Sequence, residues 1–275
     1  MLNIRQQQWN ESYARGENAI FYPHEEMVRF LNRFIRKRVS QHHFSDVIYR
    51  GDFYHSGIGI TQNKEIIESV KRDILAGGGG NDENLLPLKA LDFGCGMGRG
   101  SMLMAEFGIE TQGIDISQVA VDEAKKLYTS LAQTTKLAPV EFQTYNGEQI
   151  PFDDESFDFS VSYGVLDSLP FTLAKKLVKE IERVSKTYFF VSLIGEDSTS
   201  GFSNIKEKIF TDEVEVQEAH EKGTIQSFFD YNKIQNLFSH THFTIIWAEK
   251  KASLNLIDNS TQSRYYIVLK KQHKE

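Results

Sequence analysis

Residues 91–100, LDFGCGMGRG, set four glycines on alternate positions directly after a short apolar run. Such a run reads as a buried strand. The residues after it, 101–107 (SMLMAEF), read as a helix, with Gly108 where a C-terminal cap is expected. A strand that turns through glycines into a helix restricts the chain to an α/β architecture, in which the ligand lies beyond the carboxyl ends of the strands, against the first βα turn.

The following segments repeat that unit. A second strand ends at Ile114-Asp115-Ile116, and Ser117 can cap the helix SQVAVDEAKKLYTSL, whose Ala120, Ala124, Leu127 and Leu131 share a face. Residues 140–144 and 157–163 read as strands, Leu173, Leu177, Ile181 and Val184 mark a further helix, and residues 188–193 (YFFVSL) form a fifth strand. Strands alternating with helices of this length imply βαβ units and a parallel sheet. Residues 242–249 and 264–270 are two more strand-like runs with no helix-length segment between them, so they pair antiparallel. The expected sheet is seven-stranded and mostly parallel, with an antiparallel pair at its end.

Upstream, residues 23–39 read as one helix whose charges, from Glu25 and Glu26 to Arg33, Arg36, Lys37 and Arg38, follow the dipole on a solvated face. Residues 76–82 (AGGGGND) read as a flexible connector. The chain thus divides into an N-terminal helical cap over residues 1–75 and a core over residues 76–275, with a covering insert at about 196–235. Trp9, Tyr13, Phe21 and Tyr22 read as a lid over the cleft, with core packing elsewhere an equal alternative.

Which ligand needs such a turn? The dinucleotide fingerprint requires glycines at its first, third and sixth places, but counted from Gly94 the sixth place is Arg99, and from Gly96 it is Ser101. The phosphate-loop spacing that ends in Lys-Ser/Thr is missing too. A net charge of −7 argues against nucleic acid as a partner. What remains is an acid, Asp92, whose carboxylate can meet a ligand cation or ammonium group, followed by Gly94, Gly96 and Gly98, which let the backbone approach closely.

These residues resemble the first motif of the class I S-adenosylmethionine-dependent methyltransferases, Leu-Asp-x-Gly-Cys-Gly-x-Gly, at every defined position, with Cys95 as a small filler inside the loop. Residues 113–117 (GIDIS) are similar to the second motif, which implies that Asp115, with Ile116 beside it, accepts hydrogen bonds from both ribose hydroxyls. Residues 146–152 (NGEQIPF) are similar to the family's Gly-Asp-Ala-Glu-x-Leu-Pro-Phe stretch. Asn146 stands where an Asp usually receives the adenine amino group, followed by Gly147 and Glu148. Residues 156–158 and 162–166 resemble the fourth-strand motif that lines the transfer site, which brings in Ser162 and Tyr163. The resemblance covers residues 85–195. It implies a Rossmann-like fold, S-adenosyl-L-methionine as cofactor, and methyl transfer to O or N of a small or medium-sized acceptor.

No single motif names the catalytic residues of this family. Tyr163 and Asp167 are the candidates near the end of the fourth strand, and a helix cap before Leu169-Pro170 is the other reading of Asp167. His55, in the glycine-bearing aromatic segment FYHSGIG, is a third. The single cysteine and the scattered histidines give no metal-ligand spacing. No apolar run approaches 18 residues and the N-terminus lacks the pattern of a signal peptide, so the chain reads as cytoplasmic with no membrane partner. A homodimer stays open. So do two other functions: a non-catalytic binder of S-adenosylmethionine or S-adenosylhomocysteine, and a nucleotide-binding oxidoreductase.

Overall fold

A computed structural model describes residues 2–16, 23–40, 43–49, 85–199, 213–216 and 223–272. It begins with α1 (Leu2–Ala14), α2 (Glu25–Phe30), a wide π turn (Leu31–Ile35), β1 (Arg36–Ser40) and β2 (His43–Asp46). The alternating core follows: β3 (Lys89–Phe93), α3 (Arg99–Glu106), β4 (Glu110–Asp115), α4 (Gln118–Ala132), β5 (Val140–Thr144), β6 (Phe157–Tyr163), α5 (Phe171–Val184) and β7 (Ser185–Ile194). A short hairpin of β8 (Glu213–Glu215) and β9 (Ile225–Ser227) leads to α6 (Tyr231–Phe238), β10 (Phe243–Leu254) and β11 (Thr261–Lys271).

Seven strands form one sheet in the order β10-β11-β7-β6-β3-β4-β5. The five from β3 to β7 run parallel, and β11 lies antiparallel between β7 and β10. The expected architecture is the observed one, because the central strands are buried on both faces and carry near-continuous apolar runs. Leu91, Phe93, Phe189, Val191, Ile267 and Leu269 pack under α5 and α6. Their sequence neighbours Ala90, Phe190 and Val268 point the other way, against Phe30 and Phe34 near the N-terminus and Leu103 and Met104 of α3. Ser117 caps α4 as its position suggests, its hydroxyl accepting from Ala120 N at 3.2 Å.

The N-terminal segment departs from expectation. The single helix expected over residues 23–39 ends at Ile35, and the chain turns into β1, which pairs with β2. Arg36 is the cause. Instead of sitting on a solvated face it is 1% exposed, and it is held by an ion pair to Asp46 at 2.6 Å. Its guanidinium also donates to the carbonyls of Phe107 and Gly108, at the end of α3, and to Leu86 O. The Phe107 and Gly108 carbonyls lie past the last turn of α3, so a buried cation with several acceptors outweighs one more helical turn. Removing it would leave Asp46 buried and unpaired, at a cost of about 3–5 kcal/mol.

Candidate active site

From β3 the chain steps outward through β4 to β5, then crosses back to place β6 on the other side of β3. At that switch point adjacent βα turns leave the sheet in opposite directions, and a crevice opens beyond the carboxyl ends of the strands. Here it is a cleft of about 770 Å³.

One half of the cleft is built by the glycine turn. Gly94 N and Cys95 N both donate to Ile114 O, at 2.8 and 3.0 Å, lashing the turn to the end of β4. Gly96 N donates to Asp115 Oδ2 at 2.9 Å, and Ser117 N donates to Asp115 Oδ1 at 2.8 Å. Burial raises the Asp115 pKa, and these backbone donors work against the rise by stabilising the carboxylate. Gly96 adopts φ +51°, where any other residue is strained, and a Cβ there would lie 2.5 Å from the Tyr13 hydroxyl, so a side chain would also have to push the Tyr13 ring aside. Asp92 is buried beside the turn, accepting from Ser101 Oγ at 2.6 Å, and burial pushes its pKa up to about 6.

Helix α1 covers this half. Arg5, Trp9 and Tyr13 recur every fourth residue and line the cleft as one stripe. On the adjoining stripe, Gln6 donates to Ile116 O at 2.9 Å and Asn10 Oδ1 accepts from Ser117 Oγ at 2.7 Å.

The other half is made by chain segments far apart in sequence. Tyr163, at the end of β6, stacks on His24 with ring centres 3.5 Å apart and an interplanar angle of 8°. The guanidinium carbons of Arg99 and Arg264 lie 5.7 and 5.5 Å from the centre of the same tyrosine ring. Burial, and then the charges of Arg99 and Arg264, lower the His24 pKa to about 3, so this imidazole is neutral at ordinary pH. Burial raises the Tyr163 phenol, with its contact to Tyr266 adding to the effect. Burial opposes the charge of Arg264, but an ion pair to Asp167 at 2.8 Å more than offsets it and raises the pKa. Arg99 has no such ion pair among the described residues; burial lowers its pKa, and its Nη1 finds no hydrogen-bond partner.

Most residues expected at the site meet in this cleft. Asp92, Gly94, Cys95, Gly96, Asp115, Ile116, Gly147 and Tyr163 line it. Gly98 does not; it begins α3 with φ +82° beneath the turn. Asn146 and Glu148 are exposed, and Asn146 Oδ1 accepts from Glu148 N and Gln149 N, both at 3.0 Å, so its carbonyl shapes a turn that presents Tyr145 and Gly147. Ser162 is fully buried, its hydroxyl without a partner among the described residues. Asp167 caps no helix and does not line the cleft. It lies in a 3-10 turn (Leu166–Ser168), with its carboxylate accepting from Ile194 N and Arg264 Nη1, both at 2.8 Å. His55, Phe21, Tyr22 and the connector at 76–82 lie outside the described residues. His24 and Arg264 were not singled out from the sequence, since neither stands in a motif. Among the described residues no group of three or more His, Cys, Asp or Glu could hold a metal ion, and no helix is long and apolar enough to cross a membrane.

Comparison with known proteins agrees with this geometry. Residues 91–188 match a family model described as "Methyltransferase domain". An uncharacterized protein of Haemophilus influenzae is 28% identical over 142 residues, covering 50% of this chain and 54% of that one. The O-methyltransferase resE of Aspergillus sclerotiorum is 38% identical over 69 residues, 25% of either chain. The chain thus spans about half the length of the first relative and a quarter of the second. A crystal structure of a SAM-dependent methyltransferase from Methanosarcina mazei superimposes with a TM-score of 0.57 at 23% identity, covering 70% of this chain and 96% of that one. Residues 91–188 are thus similar to a methyltransferase domain, and the seven-stranded sheet that holds them has the fold of the Methanosarcina mazei structure.

Proposed function

We propose that this chain transfers a methyl group from S-adenosyl-L-methionine to O or N of a small or medium-sized acceptor. The observation that carries the reading is the convergence of the Gly96 and Ser117 amides on the Asp115 carboxylate, at the switch-point cleft of a methyltransferase-type sheet. The residues present fit the cofactor. Asp115 offers oxygens to a ribose, Tyr145 and Gly147 line the end suited to the base, and Asp92 with the glycine turn suits an ammonium-bearing chain. When bound, the cofactor supplies a sulfonium methyl for in-line displacement.

The protein's part is to place the acceptor atom against that methyl group and to exclude water. Trp9 and Tyr13 close the cleft from one side, and Tyr163, Arg264 and Tyr266 wall it from the other. Tyr163 and His24 face the transfer region. With its phenol held protonated, Tyr163 acts as a hydrogen-bond donor and ring surface, and neutral His24 can orient or accept a proton. Asp167 acts at one remove, by positioning Arg264.

Calorimetric titration with S-adenosylmethionine, S-adenosylhomocysteine and NADH tests the reading. Binding of the two adenosyl compounds alone is expected. Binding of NADH alone would sink it, and adenosyl binding with no turnover on any acceptor would make the chain a non-catalytic binder.

A further inference from the structure

The acceptor half of the cleft is short of negative charge. Lys251, which lines it, is paired with Glu26, and Arg264 is paired with Asp167. Arg99 is a third cation, half-buried and close enough to Arg264 for the two to repel. The acid nearest to it by charge is Asp92, already engaged by the Ser101 hydroxyl, with its pKa pushed up to about 6 by burial. The Tyr163 ring offers both guanidinium groups its π face, which eases a cation but accepts no conventional hydrogen bond. His24 Nε2 and Arg99 Nη1 are both buried polar atoms with no partner among the described residues. Buried donors and cations are normally matched, so a cluster this unmatched is completed by a ligand.

Resting on the methyl-transfer reading, we infer that the acceptor is an organic oxyanion, its carboxylate or phosphate oxygens seated by Arg99 and Arg264 beside the Tyr163–His24 stack. Guanidinium forks suit planar or tetrahedral oxyanions alike, through paired N–H···O bonds. The same anion adds the negative charge that His24 lacks, which moves the imidazole back toward its ordinary pKa and makes it a better proton acceptor once the substrate is in place. The charges of the other carboxylates in this half are already offset, Glu26 by Lys251 and Asp167 by Arg264, although Asp167 Oδ1 has no hydrogen-bond partner among the described residues. An acceptor that arrives as an anion therefore completes both the charge balance and the base.

Arg99 has a competing client, the carboxylate of the cofactor itself, and the test must separate the two. Benzoate, phenyl phosphate and neutral methyl benzoate are titrated into the full chain, free and loaded with S-adenosylhomocysteine. The same titrations are run on Arg99→Gln and Arg264→Lys. Arg99→Gln breaks no ion pair seen in the structure, and Arg264→Lys keeps the charge opposite Asp167, so both variants should fold. At least one acid should bind the wild type while the ester does not. Each substitution should weaken that acid roughly tenfold or more, with affinity for S-adenosylhomocysteine unchanged. A preference for benzoate or for phenyl phosphate tells carboxylate from phosphate. Equal binding of acid and ester overturns the inference, as does the absence of any acid binding. So does an Arg99→Gln variant that loses S-adenosylhomocysteine but keeps the acid. Acid binding to a chain that never binds S-adenosylhomocysteine would keep the anion site and remove the methyltransferase reading instead.

Discussion

The two halves of the cleft are built on opposite principles. The glycine-turn half comes from one run of chain, β3 to Ser117, from which only Arg99 belongs to the other half. Its polar groups are matched inside the protein: Asp115 with two backbone amides, Asp92 with Ser101. The acceptor half is gathered from α2's leading edge, the start of α3, the end of β6 and the middle of β11, and several of its polar groups are left unmatched. A site that satisfies itself can be carried unchanged from one protein to another. A site left unsatisfied is specified by whatever satisfies it, so under the proposed function the first half is given to the cofactor and the second to the substrate.

Four substitutions would break or sharpen that contrast. The largest effect is expected from Gly96→Val, which places a branched side chain at positive φ against Tyr13. It should abolish S-adenosylhomocysteine binding while the far-ultraviolet circular dichroism stays native, and normal binding would show that the turn is not the cofactor's cradle.

Next comes Asp92. Its folded pKa of about 6 lies above its ordinary 3.8, so the native state binds the extra proton and stability falls as pH rises from about 4 to about 6. The loss amounts to roughly 2–3 kcal/mol for this group, and Asp115, also raised by burial, contributes in the same direction. Urea unfolding of Asp92→Asn across that window should show a flatter dependence than the wild type; an identical slope would mean that Asp92 is not the group responsible.

Asp115→Ala should weaken cofactor binding by about 1–3 kcal/mol, the worth of charge-assisted ribose bonds. Calorimetry checks it, and unchanged affinity would remove Asp115 from the site. The smallest effect has the opposite sign. Arg99→Gln removes a half-buried cation without a hydrogen-bonded acid, and should raise the thermal midpoint of the free protein by an amount equivalent to about 1 kcal/mol or less. A fall would show that Arg99 is matched in the free protein after all, and the contrast between the halves would narrow.

The same contrast governs what can be read from sequence. The sheet was legible because its central strands announce themselves as apolar runs and its helices as one-sided patterns, and the glycine turn because every residue of it is consecutive. Asn146 is exposed and its carbonyl serves its own turn, which no spacing reports. The helix expected over residues 23–39 stops short because Arg36 does not take the usual solvated place of an arginine: its partners Asp46, Leu86 and Gly108 are 10, 50 and 72 residues away. His24 and Arg264 escaped for the same reason: they meet at Tyr163 only after folding, and each looks ordinary among its chain neighbours.

The placement of β11 between β7 and β10 has a consequence for synthesis. A chain emerging from the ribosome has its glycine turn and Asp115 long before it has residue 264. Until the last strand slides into its slot, β7 is an open edge ready to pair with any passing strand. Insertion of that strand closes the edge and delivers Arg264 in one motion. A nascent chain would acquire the glycine-turn half of its cleft first, and Arg264 only when it is no longer able to aggregate through that edge.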